Sequence, residues 1–328
     1  MHMMNLRETS AAAEAAGGEA EPYRADGDAT PSAPSGTNPG APFAPLGPAF
    51  DIAPAAPTAP RIPLIFASPH SGRIYPPQMT SASRLDGAAI RRSEDAWVDR
   101  LIGAAPTHGV TLLKALFARV FFDVNREPWE LDPAMFEDEL PAYARARTAR
   151  VAAGLGAIAR IVSEGQEIYD RKLTFDEARE RVEGVHQPYH GALAGLIAEA
   201  KAEHGVAVLV DWHSMPAAAA QQAGLGGGCD LVLGDRFGAA CAPALSRQVE
   251  RELEAMGYRV ARNAPYAGGY TTEHYGRPQR GVHALQIEIN RALYVDEVTL
   301  EPTDGFAQLQ ADLDKLAGIM AAMEWSAL

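Results

Sequence analysis

The chain has 328 residues, of which 47% are hydrophobic and 22% are charged, and its 29 basic and 42 acidic side chains give a net charge of −13. This length and apolar content suffice for one large core, or for one domain with a tail. The acidic balance offers no basic footprint for nucleic acid, and no apolar run reaches the roughly 18 residues that span a bilayer, so neither a nucleic-acid nor a membrane partner is expected.

Cysteine usage and the N-terminus indicate the compartment. Cys229 and Cys241 are the two cysteines of the sequence. They are too few for a disulfide framework and lack the spacing of a zinc finger. The N-terminus carries no compact apolar segment of the kind found in secretory signals. We therefore expect reduced thiols in a cytoplasmic protein.

The first part of the chain differs in composition from the rest. Residues 1–58 are rich in Ala, Pro, Gly, Ser and Thr and contain few branched aliphatic side chains. Ordering them would cost conformational entropy with little apolar burial to offset it. We predict a disordered or loosely attached tail there, with a fragment near residues 43–52 lying on the domain, and one folded domain over residues 59–328.

The folded part contains three strand-like stretches in its first half. Residues 64–67 read as a short buried strand, which a proline–glycine turn ends beside His70. Residues 110–113 and 120–124 are two more, and the second runs into Asp123-Val-Asn-Arg126. Polar side chains therefore follow the first and the third of these strands.

A helix is predicted between these strands. Residues 96–102 have the spacing of an amphipathic helix, with Ser93 as its N-cap and with Glu94 and Asp95 in its first turn. Acids at this place commonly complement the positive end of a helix, which is the structural alternative to any role in chemistry.

The middle of the chain is predicted to be mostly helical. Residues 143–204 carry helical patterns, with a long polar helix through residues 166–175. A second helix is predicted over residues 186–203, ending at Gly205.

Residues 206–211 are the most strand-like stretch. Five apolar residues lead into Asp211-Trp-His213-Ser214, and Pro216 stops the strand. Polar groups just past the carboxyl ends of such strands line the crevice where open α/β sheets bind ligands. His213 is therefore a candidate metal ligand, and the alternative is a core histidine bonded to backbone.

The C-terminal part alternates strands and helices. Its predicted elements are a strand at 230–233, a helix at 239–256, a strand at 258–262, a glycine-rich loop at 263–278, a strand at 284–290 and a helix at 304–323. This order predicts an α/β fold, a three-layer α/β/α sandwich with a mixed, mostly parallel central sheet. Because only a loop joins 258–262 to 284–290, some antiparallel pairing is expected there.

Candidate metal ligands lie at the rims of these elements. His70 and His213 would supply two imidazoles, and Glu94 or Asp95 a carboxylate. Two imidazoles and one carboxylate are the ligand set of a catalytic zinc ion that keeps one position open for water.

Three further residues have the chemistry of amide hydrolysis. Glu288 alternates with isoleucines in its strand, so it faces a crevice as a general base or is paired in the core, for example with Arg291. Arg126 and Arg119 offer planar guanidinium groups for a substrate carboxylate, and Arg119 also for a developing oxyanion. The alternative is that both arginines bridge acids at the surface.

Other signals are weaker. The remaining histidines on or beside predicted helices are interpreted as structural, namely His108, His186, His190 and His204. His274 and His283 flank the glycine-rich loop and stay ambiguous. Residues 224–228 lack the spacing of a phosphate-binding loop.

Several separated motifs occur in a fixed order. They are Ser68-Pro-His-Ser-Gly72, Ser93-Glu-Asp95 with Asp99, Arg119 followed by Asp123-Val-Asn-Arg126, Asp211-Trp-His-Ser214, Gly268-Gly-Tyr-Thr-Thr-Glu-His-Tyr-Gly-Arg-Pro278 and Gly281-Val-His-Ala-Leu-Gln-Ile-Glu-Ile-Asn-Arg291. Together they resemble the N-formylglutamate amidohydrolase family from about residue 62 to the C-terminus. A series of this kind is more specific than any one motif.

The resemblance implies a fold, a cofactor and a reaction. The implied fold is phosphorylase/hydrolase-like and similar to zinc carboxypeptidases, with an amidohydrolase domain over residues 59–328. The implied cofactor is Zn²⁺ or another divalent transition metal. The implied reaction is hydrolysis of N-formyl-L-glutamate to formate and L-glutamate in histidine degradation.

Roles follow for the residues that match the family's motifs. His70 and His213 would bind the metal, and Asp95 is preferred over Glu94 as the third ligand. Glu288 would be the base.

The resemblance, for Asn125 and Arg126, and the chemistry of the residues, for the others, predict the substrate contacts. Asn125 and Arg126 would hold the α-carboxylate, with Arg119 and Arg277 as further cations for the two carboxylates. Residues expected to shape a lid are Tyr270, Thr272 and Tyr275.

Two other functions stay open at this point. The first is another hydrolase on the same scaffold, such as a carboxypeptidase or a deacylase of a different N-acyl amino acid. The second is a metal-free protein that binds an acidic amino acid. In each case the partner is a small molecule, and the sequence leaves the oligomeric state open.

Overall fold

The computed structural model describes residues 46–162, 165–223 and 227–325, so most of the predicted tail lies outside the described residues. The strands are β1 Phe50–Ala53, β2 Leu64–Ser68, β3 Thr111–Ala115, β4 Ala207–Met215, β5 Leu231–Gly234, β6 Val260–Arg262 and β7 Val282–Asn290. The α-helices are α1 Pro77–Thr80, α2 Gly87–Arg91, α3 Val98–Leu101, α4 Ala149–Ala152, α5 Phe175–Arg181, α6 Gln187–His204, α7 Ala217–Gln222, α8 Pro243–Ala255, α9 Tyr270–Tyr275 and α10 Gly305–Ala321.

One mixed, mostly parallel sheet has the strand order β1-β3-β2-β4-β7-β5-β6. Strands β3, β2, β4 and β7 run parallel to one another, as do β5 and β6, whereas β1 is antiparallel to β3 and β5 to β7. The predicted sheet is confirmed. The expected antiparallel pairing of 258–262 with 284–290 is wrong, because helix α8 carries the chain over and pairs β6 in parallel with the far side of β5.

Helices cover both faces of this sheet. Successive side chains of β4 point to opposite faces. Ala207 and Leu209 belong to the apolar core that includes side chains of α6. Val208 and Val210 belong to a second core with side chains of α3, α8 and α10. The architecture is therefore the predicted three-layer sandwich.

The sheet begins earlier than the sequence indicated. Strand β1 lies inside the segment assigned to the tail, yet its backbone pairs with β3 at the sheet edge. Phe50 and Ile52 pack, partly buried, against the core on the α6 side. Most of β1 falls in the fragment near residues 43–52 that was expected to lie on the domain, but a short edge strand takes much of its stability from backbone pairing, so the composition did not predict a strand.

The predicted strand at 120–124 is wrong. These residues form turns, although Phe121 and Phe122 are almost fully buried. The apolar run thus marks the burial of a folded loop rather than a strand. This loop matters because it leads directly into Asp123.

Helix boundaries also differ at two places. The polar helix through 166–175 is absent, since α5 begins only at its capping box with Thr174. Helix α3 is shorter than the predicted 96–102 and starts after Trp97, whose backbone is left-handed, so Ser93 is not its N-cap. Helix α6 ends at Gly205 in the left-handed conformation, as predicted.

A π-helical turn, Val182–His186, joins α5 to α6. In an α-helix Arg181 and His186, five positions apart, would point about 140° away from each other. The wider π turn brings both to one side. There Arg181 donates to the carbonyl of Phe121 at 3.1 Å, and His186 Nε2 lies 3.1 Å from the carbonyl of Arg126.

Within the described ranges, no helix combines the length and the apolarity that crossing a membrane requires. The two cysteines, Cys229 and Cys241, are buried free thiols.

Candidate active site

Three buried side chains converge near the carboxyl ends of β2 and β4. His213 Nδ1 lies 3.0 Å from His70 Nδ1 and 3.1 Å from Asp95 Oδ2, and His70 Nδ1 lies 3.2 Å from the same oxygen. Two ring nitrogens this close repel each other unless a proton or a cation lies between them. The His70–Asp95–His213 cluster is therefore a candidate metal site.

The sheet and one backbone contact place each member of this cluster. His70 follows β2, and His213 lies within the neighbouring parallel strand β4. Asp95 comes from the connection between α2 and α3, and its backbone N–H donates to the carbonyl of His70 at 3.1 Å. The structure thus brings together the two histidines and the acid that the sequence favoured.

A carboxylate holds the outer nitrogen of each imidazole. His70 Nε2 lies 2.6 Å from Asp123 Oδ1, and His213 Nε2 lies 3.0 Å from Asp211 Oδ2. Carboxylates in this position fix the ring orientation and leave the inner nitrogen available as a metal ligand. The donor set and its outer partners fit a divalent transition metal.

Asp95 is ionised in this environment. Burial alone would raise its pKa, but hydrogen bonds and charge from His213 and His70 hold the pKa of Asp95 well below its usual range. Its other oxygen accepts from Arg291 Nη2 at 3.0 Å and from Ser214 Oγ at 3.2 Å. Oδ2 is left facing the two rings, as a metal ligand must be.

Glu94 lies outside the cluster although it is equally buried. Its Oε1 accepts from Tyr75 Oη at 2.5 Å and from Arg91 Nε at 2.9 Å. The neighbouring acids Glu94 and Asp95 therefore face different partners, and only Asp95 meets the imidazoles. Neither acid belongs to a helix's first turn, because α3 starts at Val98.

Glu288 lies beside the cluster, paired in register with His213 across β4 and β7. Burial raises the pKa of Glu288 to about 7, although the charge of His213 opposes this rise. Gln286 Nε2 donates to Glu288 Oε1 at 2.8 Å. A carboxyl group with a pKa near neutrality can both take up and release a proton at physiological pH.

The cluster and Glu288 line a cavity of about 630 Å³. Its wall is rich in arginine and includes Arg92, Arg119, Arg126, Arg150, Arg236 and Arg291. These cations outnumber the acids of the wall, which are Asp95, Asp123 and Glu288. A protein with a net charge of −13 thus presents a cationic cavity of small-molecule size, which suits an anionic ligand.

Arg119 and Arg126, which the sequence offered as cations for the substrate, line this cavity. Arg119 Nη2 donates to Asp123 Oδ2 at 2.7 Å. Arg126 donates to the carbonyls of Leu155 and Asn125, and its ion pair with Asp123 is long, at 3.8 Å. Burial lowers the pKa of Arg126. Because this buried guanidinium has only a long ion pair within the protein, it favours the binding of an anion.

Asn125 also lines the cavity, but its amide is used inside the protein. Oδ1 accepts from the backbone N–H of Thr271 at 2.8 Å, and Nδ2 lies 3.3 Å from Asp211 Oδ2 and 3.0 Å from His213 Nε2. A side chain on Gly269 would bring its Cβ within 2.5 Å of that Nδ2. The amide thus donates to Asp211, the carboxylate that holds the outer nitrogen of His213, and the expected contact of Asn125 with substrate stays a prediction.

Four predicted substrate contacts do not line the cavity, namely Tyr270, Thr272, Tyr275 and Arg277. They lie on or just after α9, where an irregular loop was expected. The hydroxyl of Tyr275 lies 2.9 Å from His190 Nδ1, and Arg277 donates to two backbone carbonyls. The glycine-rich segment does reach the cavity, through residues 265–269.

Several wall residues were missed as site residues. They are Arg92, Arg150, Arg236, Tyr266, Gln286 and, apart from its possible pairing with Glu288, Arg291. Strand patterns do not show the direction of β5 in the sheet, which decides where Arg236 lies. Gln286 had an available signal, because it shares the strand face of Glu288 two positions away.

The α/β sandwich has an arginine-lined cavity that contains a buried cluster of two histidines and one carboxylate. Beside the cluster lies a glutamate whose pKa is close to neutrality. These features together define a hydrolase with a candidate metal centre. The family model of N-formylglutamate amidohydrolases matches residues 62–295, and the chain belongs to this family.

Individual relatives agree with this assignment. The chain is 32% identical over 239 residues to an N-formylglutamate deformylase of Pseudomonas aeruginosa, covering 72% of this chain and 83% of that protein. It is 28% identical to the enzyme of that name from Pseudomonas putida, covering 72% and 82%. A crystal structure of N-formylglutamate amidohydrolase from Ralstonia eutropha JMP134 is similar with a TM-score of 0.78 and 39% identity, covering 83% of this chain and 97% of that one. An Agrobacterium tumefaciens protein shares the fold, with a TM-score of 0.55 at 18% identity over 83% and 94% of the two chains.

Proposed function

We propose that the protein hydrolyses the formamide bond of N-formyl-L-glutamate and releases formate and L-glutamate. The observation that carries this proposal is the position of Glu288 beside the His70–Asp95–His213 cluster in an arginine-lined cavity. The names of the relatives from the two Pseudomonas species support the choice of substrate.

The cluster would hold Zn²⁺ or another divalent transition metal through His70 Nδ1, His213 Nδ1 and Asp95 Oδ2. Nitrogen and carboxylate donors with carboxylate-held imidazoles are typical of zinc. A divalent metal supplies Lewis-acid chemistry when bound, since it polarises a carbonyl and lowers the pKa of a water molecule.

Glu288 would handle the protons of the reaction. Its Oε2 takes a proton from the attacking water, and the same carboxyl group then delivers that proton to the departing nitrogen of glutamate. A pKa of about 7 suits both steps. Gln286, which donates to Oε1, keeps the carboxyl group oriented.

Each arginine would contact a different negatively charged group of the substrate. Arg126 would bind the α-carboxylate, as its weak internal ion pair allows. Arg119 would stabilise the oxygen that becomes negative as water adds to the formyl carbon. Asn125 would act through Asp211, to which it donates and which holds the outer nitrogen of His213.

Formate release from a panel of N-acyl amino acids tests this function. We expect N-formyl-L-glutamate to be the best substrate, and activity to be lost on chelation and regained with added zinc. Preference for another acyl group or for a peptide would favour a different deacylase or a carboxypeptidase. Binding of an acidic amino acid with no turnover and no bound metal would favour a binding protein. A small-molecule substrate and a cytoplasmic location complete the proposal.

A further inference from the structure

Arg236 reaches the cavity from a strained backbone. Arg236 and Phe237 follow β5 with φ values of 55° and 56°. This left-handed region is uncommon for residues with large side chains. Strained residues persist where their surroundings hold them, and they cluster at ligand sites.

The contacts around this turn hold it in one shape. Asn263 Oδ1 accepts from the backbone N–H groups of Asp235 and Phe237 at 3.0 and 3.2 Å. The backbone N–H of Arg236 donates to the carbonyl of Ala267 at 2.8 Å. The turn therefore keeps the guanidinium of Arg236 at the cavity wall.

A short series of contacts links Arg236 to the proposed base. Arg236 Nη1 donates to the carbonyl of Gly268 at 3.3 Å. The next residue, Gly269, donates its N–H to Gln286 Oε1 at 2.7 Å, and Gln286 in turn donates to Glu288. Arg236 and the base are thus connected through the adjacent residues Gly268 and Gly269, and both line the same cavity.

The acid partner of Arg236 is more exposed than the acid partners of Arg119 and Arg291, which line the same cavity. Arg236 Nη2 lies 3.0 Å from Glu273 Oε2, and the Glu273 side chain is 58% exposed. Arg119 and Arg291 pair instead with acids that are at most 5% exposed. An exposed ion pair contributes little and exchanges readily, so a carboxylate arriving in the cavity can replace Glu273.

We propose that Arg236 is a specificity-determining residue that binds the distal carboxylate of the substrate, and that Glu273 occupies its guanidinium in the free protein. This inference rests on the proposed function and narrows it to N-acyl amino acids with a second carboxylate. Arg126 binds the α-carboxylate, and Arg236 recognises the end of the side chain.

The test compares N-formyl-L-glutamate with N-formyl-L-glutamine, which has the same shape without the distal charge. In Arg236→Gln we expect kcat/KM for N-formyl-L-glutamate to fall about 100-fold, mainly through KM, and that for N-formyl-L-glutamine to change less than about 3-fold. In Glu273→Gln we expect KM for N-formyl-L-glutamate to fall about 3-fold, because the competing carboxylate is gone.

Arg61→Gln is the matched control. Arg61 forms an ion pair of the same length, 3.0 Å, with Glu203, and neither residue lines the cavity. This variant carries the same change of charge and should keep the selectivity of the wild type. Thermal unfolding of each variant confirms that it is folded.

Equal losses for both substrates in Arg236→Gln, or unchanged selectivity, would overturn the assignment of Arg236. A wild-type protein that hydrolyses neither substrate would overturn the proposed function instead. Calorimetric binding of L-glutamate and L-glutamine then decides the role of Arg236 separately. A preference for L-glutamate that disappears in Arg236→Gln supports the role, and no preference, or one that persists, overturns it.

Discussion

Glu288 and His213 share one face of the sheet because β4 and β7 pair in a single register over nine residues each. Side chains alternate along a strand, so a shift of one residue would turn Glu288 toward α8 and α10. The placement of the proposed base beside the candidate metal ligands is thus a property of the two central strands, and it does not depend on a loop.

Replacing Glu288 with Gln should remove turnover and leave metal binding intact. Loss of a general base typically costs about 100-fold to 10,000-fold in rate. Formate release would be measured together with the metal content of the purified protein. A rate near that of the wild type would rule out Glu288 as the base, and loss of metal would show that it acts as a ligand.

The neighbouring acids Asp95 and Glu94 provide a matched pair of variants. Asp95→Asn should reduce metal affinity at least about 100-fold, because it removes the charged ligand between the imidazoles. Glu94→Gln carries the same change one position away and should bind metal normally. It should lower the free energy of unfolding by about 1–3 kcal/mol, since Arg91 loses its buried acid partner. Metal titration and urea unfolding measure both effects, and equal metal loss in the two variants would contradict this assignment.

Arg126→Ala should weaken substrate binding. We expect KM for N-formyl-L-glutamate to rise roughly 30-fold with a smaller change in kcat, because the guanidinium contacts the α-carboxylate in both ground and transition states. Steady-state formate release measures both constants. If neither constant changes, the α-carboxylate binds elsewhere.

Stability should depend on pH through two buried histidines. Burial lowers the pKa of His186 to about 4 and that of His190 to about 3. Both titrate near 6.5 in the unfolded chain, so the folded state binds fewer protons below that pH. The free energy of unfolding should therefore fall as pH decreases from about 6.5 toward 4, by up to about 3 kcal/mol for His186.

Urea unfolding of metal-free protein between pH 7 and 4.5 tests this dependence. Other groups titrate in the same interval, so the informative quantity is the difference between the wild type and His186→Gln. The variant should lose less stability on acidification. Parallel pH profiles for the two proteins would refute the prediction.

Most of the fold could be predicted because central strands are nearly continuous apolar runs. The run before His213 marks β4, and the helix ending at Gly205 is visible from its period and its C-cap. The run at 120–124 has the same appearance, but its burial comes from packing as a loop against Arg181 and α6. An apolar run predicts that its residues are buried, but it does not predict whether their backbone forms a strand or a loop.

The two candidate histidine ligands could be predicted from residue type and strand ends, and the family resemblance favoured Asp95 over Glu94. Packing explains why only Asp95 meets the imidazoles. The residues that form the wall of the cavity could not be predicted in the same way. Arg150 and Arg236 come from segments whose direction depends on strand order, and the tyrosines near α9 turn away because the glycine-rich segment contains a helix. Which of these side chains face the cavity is decided only by the assembled fold.

The π-helical turn at Val182–His186 makes the site sensitive to chain length at a distance from its chemistry. Just before this turn Arg181 donates to the carbonyl of Phe121, whereas His186 at its end and His190 in α6 contact the carbonyls of Arg126 and Val124. Removing one residue here would rotate the following helix by about 100° relative to the preceding one. Substitutions of side chains on this segment should therefore be tolerated better than the deletion of one residue from the turn.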